Sequence, residues 1–288
     1  MTYQILYNPI SGNGQGLNRV RQLESDLRDG GVQMFDIREI GDLKAFLKAF
    51  PQEDTLILAG GDGTINRFVN DTDGADYPDR FFYYPTGSGN DFCRDVPADS
   101  RGLIPLKQYI ENLPVVTVKG KTHRFLNGIG YGIDGYCCQV GDELRNKSDK
   151  PINYTGIAIK GLLFYYKPTR ATVTVDGKSE SFEKVWLAPT MNGRFYGGGM
   201  MVAPEQNRLN ESGELTLVVL HGSSKLKTLC VFPSIFKGEH VKHREIFTVL
   251  RGREVTVKFD RPVALQIDGE TVLDVTEYSV SVKKLAKV

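Results

Sequence analysis

No stretch of this chain reaches the roughly 20 consecutive apolar residues that cross a bilayer as a helix, and the first residues, MTYQILYNPISG, lack the basic start and apolar core of a secretory signal. An integral membrane role and an export route are therefore not expected. Cysteine is sparse: Cys93, Cys137, Cys138 and Cys230 form no Cys-x-x-Cys pair, and the adjacent Cys137 and Cys138 do not make a zinc knuckle. Reduced thiols of a cytoplasmic protein are the expectation. There is no excess of either charge. Thirty-six Lys and Arg stand against 35 Asp and Glu, a net charge of +1, so no global field draws the chain to nucleic acid. None of its glycine loops continues into Gly-Lys-Ser/Thr, which excludes a Walker A loop, and Gly12, Gly14 and Gly16 do not follow G-x-G-x-x-G, which counts against a dinucleotide dehydrogenase. No internal repeat or low-complexity linker breaks the 288 residues.

What is present falls into two textures. Up to about residue 115, apolar runs alternate with amphipathic stretches. YQILYN, VQMFDI, TLILA and FFYYP read as strands. Between the first two, Leu17, Val20, Leu23 and Leu27 recur at helical spacing; Leu43, Phe46, Leu47 and Phe50 do so between the next two. Strand–helix alternation implies a parallel sheet with helices on its faces. Beyond it, ATVTVDGKSESFEKVWLA, GELTLVVL, REVTVKF, VALQIDGETVLDV and YSVSVKKL alternate with period two around Asp-Gly turns, so this half is expected to be mostly antiparallel β, with helices near 152–166 and 224–236. The expected domains are 1–115 and 116–288, with the boundary around 112–118.

Three glycine-rich loops, NPISGNGQG (8–16), AGGDGTIN (59–66) and PTGSGND (85–91), each follow a strand and each precede an expected helix start. Loops at the carboxyl ends of parallel strands converge on one crevice. Glycine lets backbone approach a phosphate, and the free amides of a helix start attract anions. Asp62 stands among three of these glycines. It reads either as a helix cap for the segment near Thr64 or as a carboxylate that holds Mg²⁺ at the phosphates of a nucleotide.

The order GGDGT after an apolar strand, with NPxSG before it and PxGSGND after it, resembles the catalytic domain shared by diacylglycerol, sphingosine and ceramide kinases. Among these, soluble bacterial lipid kinases are similar in size. GIGYGID (128–134), the stretch from Asn192 to Leu220 and IDGE (267–270) extend the resemblance over nearly the whole chain. It implies an α/β N-terminal domain like that of NAD kinase and phosphofructokinase, then a β-sandwich domain, with the active site in the cleft between them. It also implies ATP as donor, Mg²⁺ as cofactor and a lipid hydroxyl as acceptor at a membrane surface, touched peripherally from the cytoplasmic side. Carried over by position, Asn8, Ser11 and Gly12 match the first nucleotide motif. Gly60, Gly61, Asp62, Gly63 and Thr64 match the phosphate and metal loop, and Gly87, Ser88, Asn90 and Asp91 match the third loop, with Asp91 on the substrate side. Glu270 matches the general base, and Asp134 the aspartate facing the lipid headgroup. Members of the family often dimerise, which admits a homodimer.

The sequence departs from the pattern at three places. Arg67 stands where many relatives have glutamate, Ser88 replaces threonine, and NRLNESGELTL replaces an Asp-rich stretch that holds a structural Mg²⁺ in some bacterial members. Asn210, Glu211 and Glu214 still offer oxygens there. Asp268 reads as turn chemistry, and His240-x-x-His243 as a surface pair. The basic segment 224–244 and GLLFYYKP (161–168) are expected as packed helices in preference to lipid-contacting ones. Diacylglycerol is the first expectation for the acceptor. The alternatives are a sphingoid or ceramide-type lipid, a soluble-substrate kinase of the NAD kinase type, and a binding protein without catalysis. PxGSGND and GGGM…P count against the NAD kinase type, and the retained Asp62 and Glu270 against a binding protein.

Overall fold

The computed structural model describes residues 2–27, 30–147 and 152–282. The chain divides after Leu113 into two compact units. In the first, β1 (Thr2–Tyr7), β2 (Gly31–Asp36), β3 (Thr55–Gly60) and β4 (Phe81–Pro85) run parallel in the order β2-β1-β3-β4, and β5 (Ile104–Pro105) pairs antiparallel with β4. Every residue of β3 is buried, the continuous apolar run of a strand covered on both faces. A short turn, α1 (Ser11–Gly14), leads into α2 (Gly16–Asp26), followed along the chain by α3 (Leu43–Lys48), α4 (Asp62–Asp71) and α5 (Lys107–Ile110). Val20 and Leu23 of α2 pack with Leu27 onto Ile5 and Ile57. Ile65 and Phe68 of α4 are buried, the Phe68 ring 5.5 Å from Phe81.

The second unit is antiparallel throughout its sheets. Its strands are β6 (Val115–Val118), β7 (Lys121–Arg124), β8 (Gly128–Tyr131), β9 (Thr169–Val175), β10 (Lys178–Val185), β11 (Thr190–Met191), the small hairpin β12 (Phe195–Tyr196) and β13 (Met200–Met201), β14 (Leu215–Leu220), β15 (Phe247–Gly252), β16 (Glu254–Ile267) and β17 (Glu270–Ser281). β16 joins the layers of the sandwich. Its first half pairs with β9, its last residues pair with β8, and its register to β17 shifts between Lys258 and Val263. Such a bend lets one strand serve two layers. Tyr131, Phe259, Leu265 and Tyr278 fill the space inside, with Tyr131 and Phe259 stacked at 3.9 Å.

Helices form at α7 (Tyr154–Lys160) and α8 (Lys225–Val231), within the two expected ranges. The sequence reading did not expect α6 (Ile133–Arg145). Gly135 and Gly141 interrupt any apolar stripe there, but a Cβ on Gly135 would lie 1.8 Å from the Ala264 carbonyl oxygen. Close packing on β16, not propensity, sets this helix. Two further expectations are also corrected, one of a surface histidine and one of a packed helix. His240 is fully buried: its Nε2 lies 3.0 Å from the Val202 carbonyl, its ring packs edge-on against Phe247, and burial pushes its pKa down to about 4. Gly161–Tyr165 forms a wide π-helical turn that leaves Phe164 and Tyr165 exposed instead of packed.

Candidate functional site

The three glycine loops of the first unit meet. Backbone sets the base: Asn8 N–H donates to Ala59 O at 2.9 Å, and Thr86 N–H to Gly60 O at 2.7 Å, so the loops after β1, β3 and β4 leave the sheet bonded to one another. Side chains complete the junction. Asn8 Nδ2 donates to Thr64 Oγ1 at 3.0 Å, and the hydroxyls of Ser11 and Thr86 lie 2.6 Å apart. Gly12 has φ +58°, and a Cβ there would sit 2.2 Å from Thr86 O, so only glycine fits that turn. A Cβ on Gly87 would fall 2.5 Å from the Cα of Gly61; the second and third loops touch backbone to backbone. Gly63 and Ser88 lie exposed.

Asp62 is the first residue of α4, after the N-cap Gly61. Its carboxylate accepts from the backbone N–H of Asp91 (2.9 Å, Oδ2) and of Phe92 (3.1 Å, Oδ1). The aspartate is thus not the cap of its own helix; it clamps the third loop. One expectation is corrected here: no helix follows the third loop, only turns. Asn90, at φ +49°, donates to Gly87 O at 2.8 Å, while its buried Oδ1 has no hydrogen-bond partner among the described residues. Asp91 is buried, 3.9 Å from Arg94 Nε, and Arg67 is exposed.

These residues fit a nucleotide and a divalent cation. Glycine at the two contact points lets the three loops close on one another, where a Cβ would strike Thr86 O or the Gly61 Cα. The Asp62 carboxylate uses two of its roughly four lone-pair directions on amides and keeps the rest. Asn90 Oδ1 is a buried acceptor that calls for a donor or a cation. Gly87→Ala must push the loops apart. It is expected to lower nucleotide affinity and turnover together, by at least about 100-fold in kcat/KM, with the melting temperature reduced by only a few degrees; equilibrium nucleotide binding and steady-state kinetics check it.

In the second unit Glu270 opens β17, exposed, directly after a two-residue turn in which Asp268 has φ +47° and Gly269 φ +94°. Positive φ at both positions is the type I′ hairpin that Asp-Gly favours. Asp268 acts well beyond its turn: its carboxylate accepts from the N–H groups of Leu126, Asn127 (2.8 Å) and Gly128 (3.0 Å). The same 126–127 stretch is held by Asn192 and Arg208, both from the stretch between Asn192 and Leu220. The sequence reading had no role for either, nor for Thr86 or Tyr196. Their signal was local, polar residues inside glycine-rich motifs, but the partners lie 62 to 82 residues away.

Asp134, in the first turn of α6, is buried and accepts from the Tyr196 hydroxyl. Burial pushes its pKa up to about 7, against the Tyr196 hydrogen bond, which lowers it. A carboxyl group raised in the folded state stabilises the fold fully below its unfolded pKa, and that contribution is lost as pH rises through the folded value. Stability is therefore expected to fall between about pH 4 and pH 7, by on the order of 4 kcal/mol at most. Asp134→Asn, which stays neutral, is expected to flatten that fall in urea unfolding series. A wild-type profile that rises over this range would refute it. The oxygens at Asn210, Glu211 and Glu214 belong to a tight turn: Asn210 Oδ1 accepts from Ser212 Oγ and Glu214 N–H, both at 2.8 Å. Among the described residues no group of three or more His, Cys, Asp or Glu is placed to hold a metal ion.

Comparison with known proteins agrees across the chain. A model of the Diacylglycerol kinase catalytic domain matches residues 2–123, and one of the YegS C-terminal NAD kinase beta sandwich-like domain matches residues 127–283. The chain is 26% identical over 278 residues to a protein named diacylglycerol kinase from Mycobacterium tuberculosis (strain ATCC 25618 / H37Rv), covering 92% of this chain and 87% of that one. It is 25% identical over 276 residues to one so named from Bacillus subtilis (strain 168), covering 93% and 89%. A crystal structure of a diacylglycerol kinase from Bacillus anthracis str. Sterne superposes with TM-score 0.59 at 18% identity, over 98% of this chain and 93% of that one; it bears on the fold.

Proposed function

Because the chain belongs to the diacylglycerol kinase family, as a Diacylglycerol kinase catalytic domain followed by a YegS C-terminal NAD kinase beta sandwich-like domain, we propose that it transfers the γ-phosphoryl group of ATP to the hydroxyl of a lipid alcohol, diacylglycerol first, at a membrane surface. The observation that carries this reading is the junction of three glycine loops around Asp62 and Asn90. Asn8, Ser11, Gly12, Gly60, Gly61, Gly63, Thr64, Gly87, Ser88 and Asn90 cradle the nucleotide. Asp62 and Asn90 offer the oxygens for Mg²⁺, which would neutralise charge on the phosphates. Glu270 takes the proton of the acceptor hydroxyl as the new P–O bond forms. Asp91 and Asp134 shape the acceptor side.

Phosphoryl transfer needs positioning more than covalent chemistry. The clamp from Asp62 to Asp91 and Phe92 supports the reading, because one carboxylate sets the second and third loops against each other. The decisive experiment incubates the protein with Mg²⁺, γ-labelled ATP and a panel of lipid alcohols in mixed micelles, with NAD as the soluble control. Label in one extracted lipid, absent with Asp62→Asn, is expected. Label in NAD alone would replace the acceptor class, and no transfer with ATP still bound would reduce the protein to a binder.

A further inference from the structure

We infer that Arg208 is a positioning residue for Glu270: its guanidinium, acting through a single peptide group on the Asp268 carboxylate, fixes the turn that leads into Glu270. What Glu270 does in this inference rests on the lipid-kinase reading above.

The relay runs through backbone. The Leu126 carbonyl accepts from Arg208 Nη1 and from Asn192 Nδ2, the latter at 2.9 Å. The N–H of that same peptide group, on Asn127, donates to Asp268 Oδ1 at 2.8 Å. The next peptide group is gripped in the same way. The Asn127 carbonyl accepts from the N–H groups of Asn192 (2.9 Å) and Gly193 (3.0 Å), and the Gly128 N–H donates to Asp268 Oδ1 at 3.0 Å. Arg208 Nη2 donates as well to Asn127 Oδ1. A carbonyl that accepts from a cation polarises the N–H of its own peptide group, and that N–H then binds a carboxylate more strongly. Guanidinium, peptide group and carboxylate thus stand in series. Of the two side chains on the Leu126 carbonyl, Asn192 is neutral, so Arg208 supplies the charge.

Both ends of the series are anchored. Gln206, buried and close to Arg208 in the chain, donates from Nε2 to Glu214 O at 3.0 Å and accepts at Oε1 from Thr216 Oγ1 at 2.6 Å, which ties the segment to β14. At the other end, Asp268 N–H donates to Gly128 O at 3.1 Å and Gly269 N–H to Gln266 Oε1 at 2.6 Å. Asp268 itself sits at φ +47°, a conformation that an aspartate keeps only where its surroundings hold it. Glu270 follows, paired with Ile267 and exposed, so the backbone of this turn sets where its carboxylate starts. Removal of Arg208 leaves the Asn192 contacts in place. The 126–128 stretch then keeps its path, the Asp268 hold on the turn weakens, and the base is no longer held in one place. A displacement of about 1 Å at a reacting group costs as much as about 100-fold in rate.

The test is a double-mutant cycle on the lipid alcohol that the transfer assay labels. Arg208→Met keeps an unbranched side chain and removes the donors. It is expected to lower kcat about 10- to 100-fold, with equilibrium ATP affinity within about twofold of wild type. Arg208→Lys, a cation without the planar fork, is expected to fall between the two. Fluorescence of the single tryptophan, Trp186, which is buried, reports folding, and Arg208→Lys takes the place of Arg208→Met in the cycle if the latter does not fold. In a Glu270→Gln background the Arg208 substitution is expected to cost less than about twofold more, because the base it positions is gone. An equal loss in both backgrounds overturns the proposal, and so does an unchanged kcat. Hydrogen exchange of the Asn127 and Gly128 amides and of the 268–270 turn reads the relay without turnover. It is expected to quicken at least about tenfold in the Arg208 variant; unchanged exchange overturns the proposal. Quickened exchange in a protein that phosphorylates no lipid alcohol upholds Arg208 as the anchor of this turn and overturns the kinase reading instead.

Discussion

Asp62→Asn is expected to lower phosphoryl transfer on the order of a thousandfold and to weaken nucleotide binding with it. Two losses coincide at this residue. The negative charge that would face a cation is gone, and so is one arm of the clamp. A carboxamide has a single oxygen, so of the amides of Asp91 and Phe92 only one keeps its acceptor, while the other meets an NH₂ group. Both residues are buried, and an amide left unsatisfied in such a place costs about 1–3 kcal/mol. Urea unfolding should report that cost as a lower midpoint with an unchanged slope. Circular dichroism should be retained, since α4 has its own N-cap at Gly61. Steady-state kinetics with equilibrium ATP binding decide the outcome. Turnover near wild type would remove Asp62 from the chemistry and leave it only its clamp.

Glu270→Gln is expected to reduce kcat by roughly 100-fold to 10,000-fold, the usual range for a lost proton acceptor, with ATP affinity unchanged. The side chain is exposed and the hairpin beside it is built by others: Gly269 N–H donates to Gln266 Oε1 at 2.6 Å, and Asp268 ties the turn to residues 126–128. Stability should therefore move by no more than about 0.5 kcal/mol, which separates this variant from Asp62→Asn. A fall in ATP affinity equal to the fall in kcat would assign Glu270 to nucleotide binding. The neighbouring Asp268 offers the contrast, since its substitution would release three amides and act on folding first.

Local pattern made much of the first unit legible. The strands at Tyr3, Val32, Thr55 and Phe81 announced themselves by apolar runs, and α2 by the spacing of Val20, Leu23 and Leu27, because these features come from packing of helices on a sheet, most fully at β3, where every residue is buried. The glycine loops could be placed at strand ends for the same reason. Their mutual bonds could not. Ser11 and Thr86 are 75 residues apart, Asn8 and Thr64 are 56, and nothing in either segment names its partner. In the second unit the Asp-Gly turn at 268–269 was visible through turn chemistry. The reach of Asp268 to Leu126, Asn127 and Gly128 was hidden, as was the burial of His240.

By itself, then, the sequence determined the alternation of elements, the three glycine loops, the hairpin that ends at Glu270 and the family pattern that runs through them. These depend on residue type at short range: side-chain period, backbone freedom and turn preference. Only the tertiary structure decided that α6 forms through Gly135 and Gly141, that Asp62 clamps the third loop, that Asp134 is buried against Tyr196, and that Phe164 and Tyr165 face outward. Each of these depends on contact between segments distant in the chain. A glycine reads as a break until a carbonyl is found 1.8 Å from its missing Cβ, and an aromatic pair reads as core until a wide turn leaves both rings exposed.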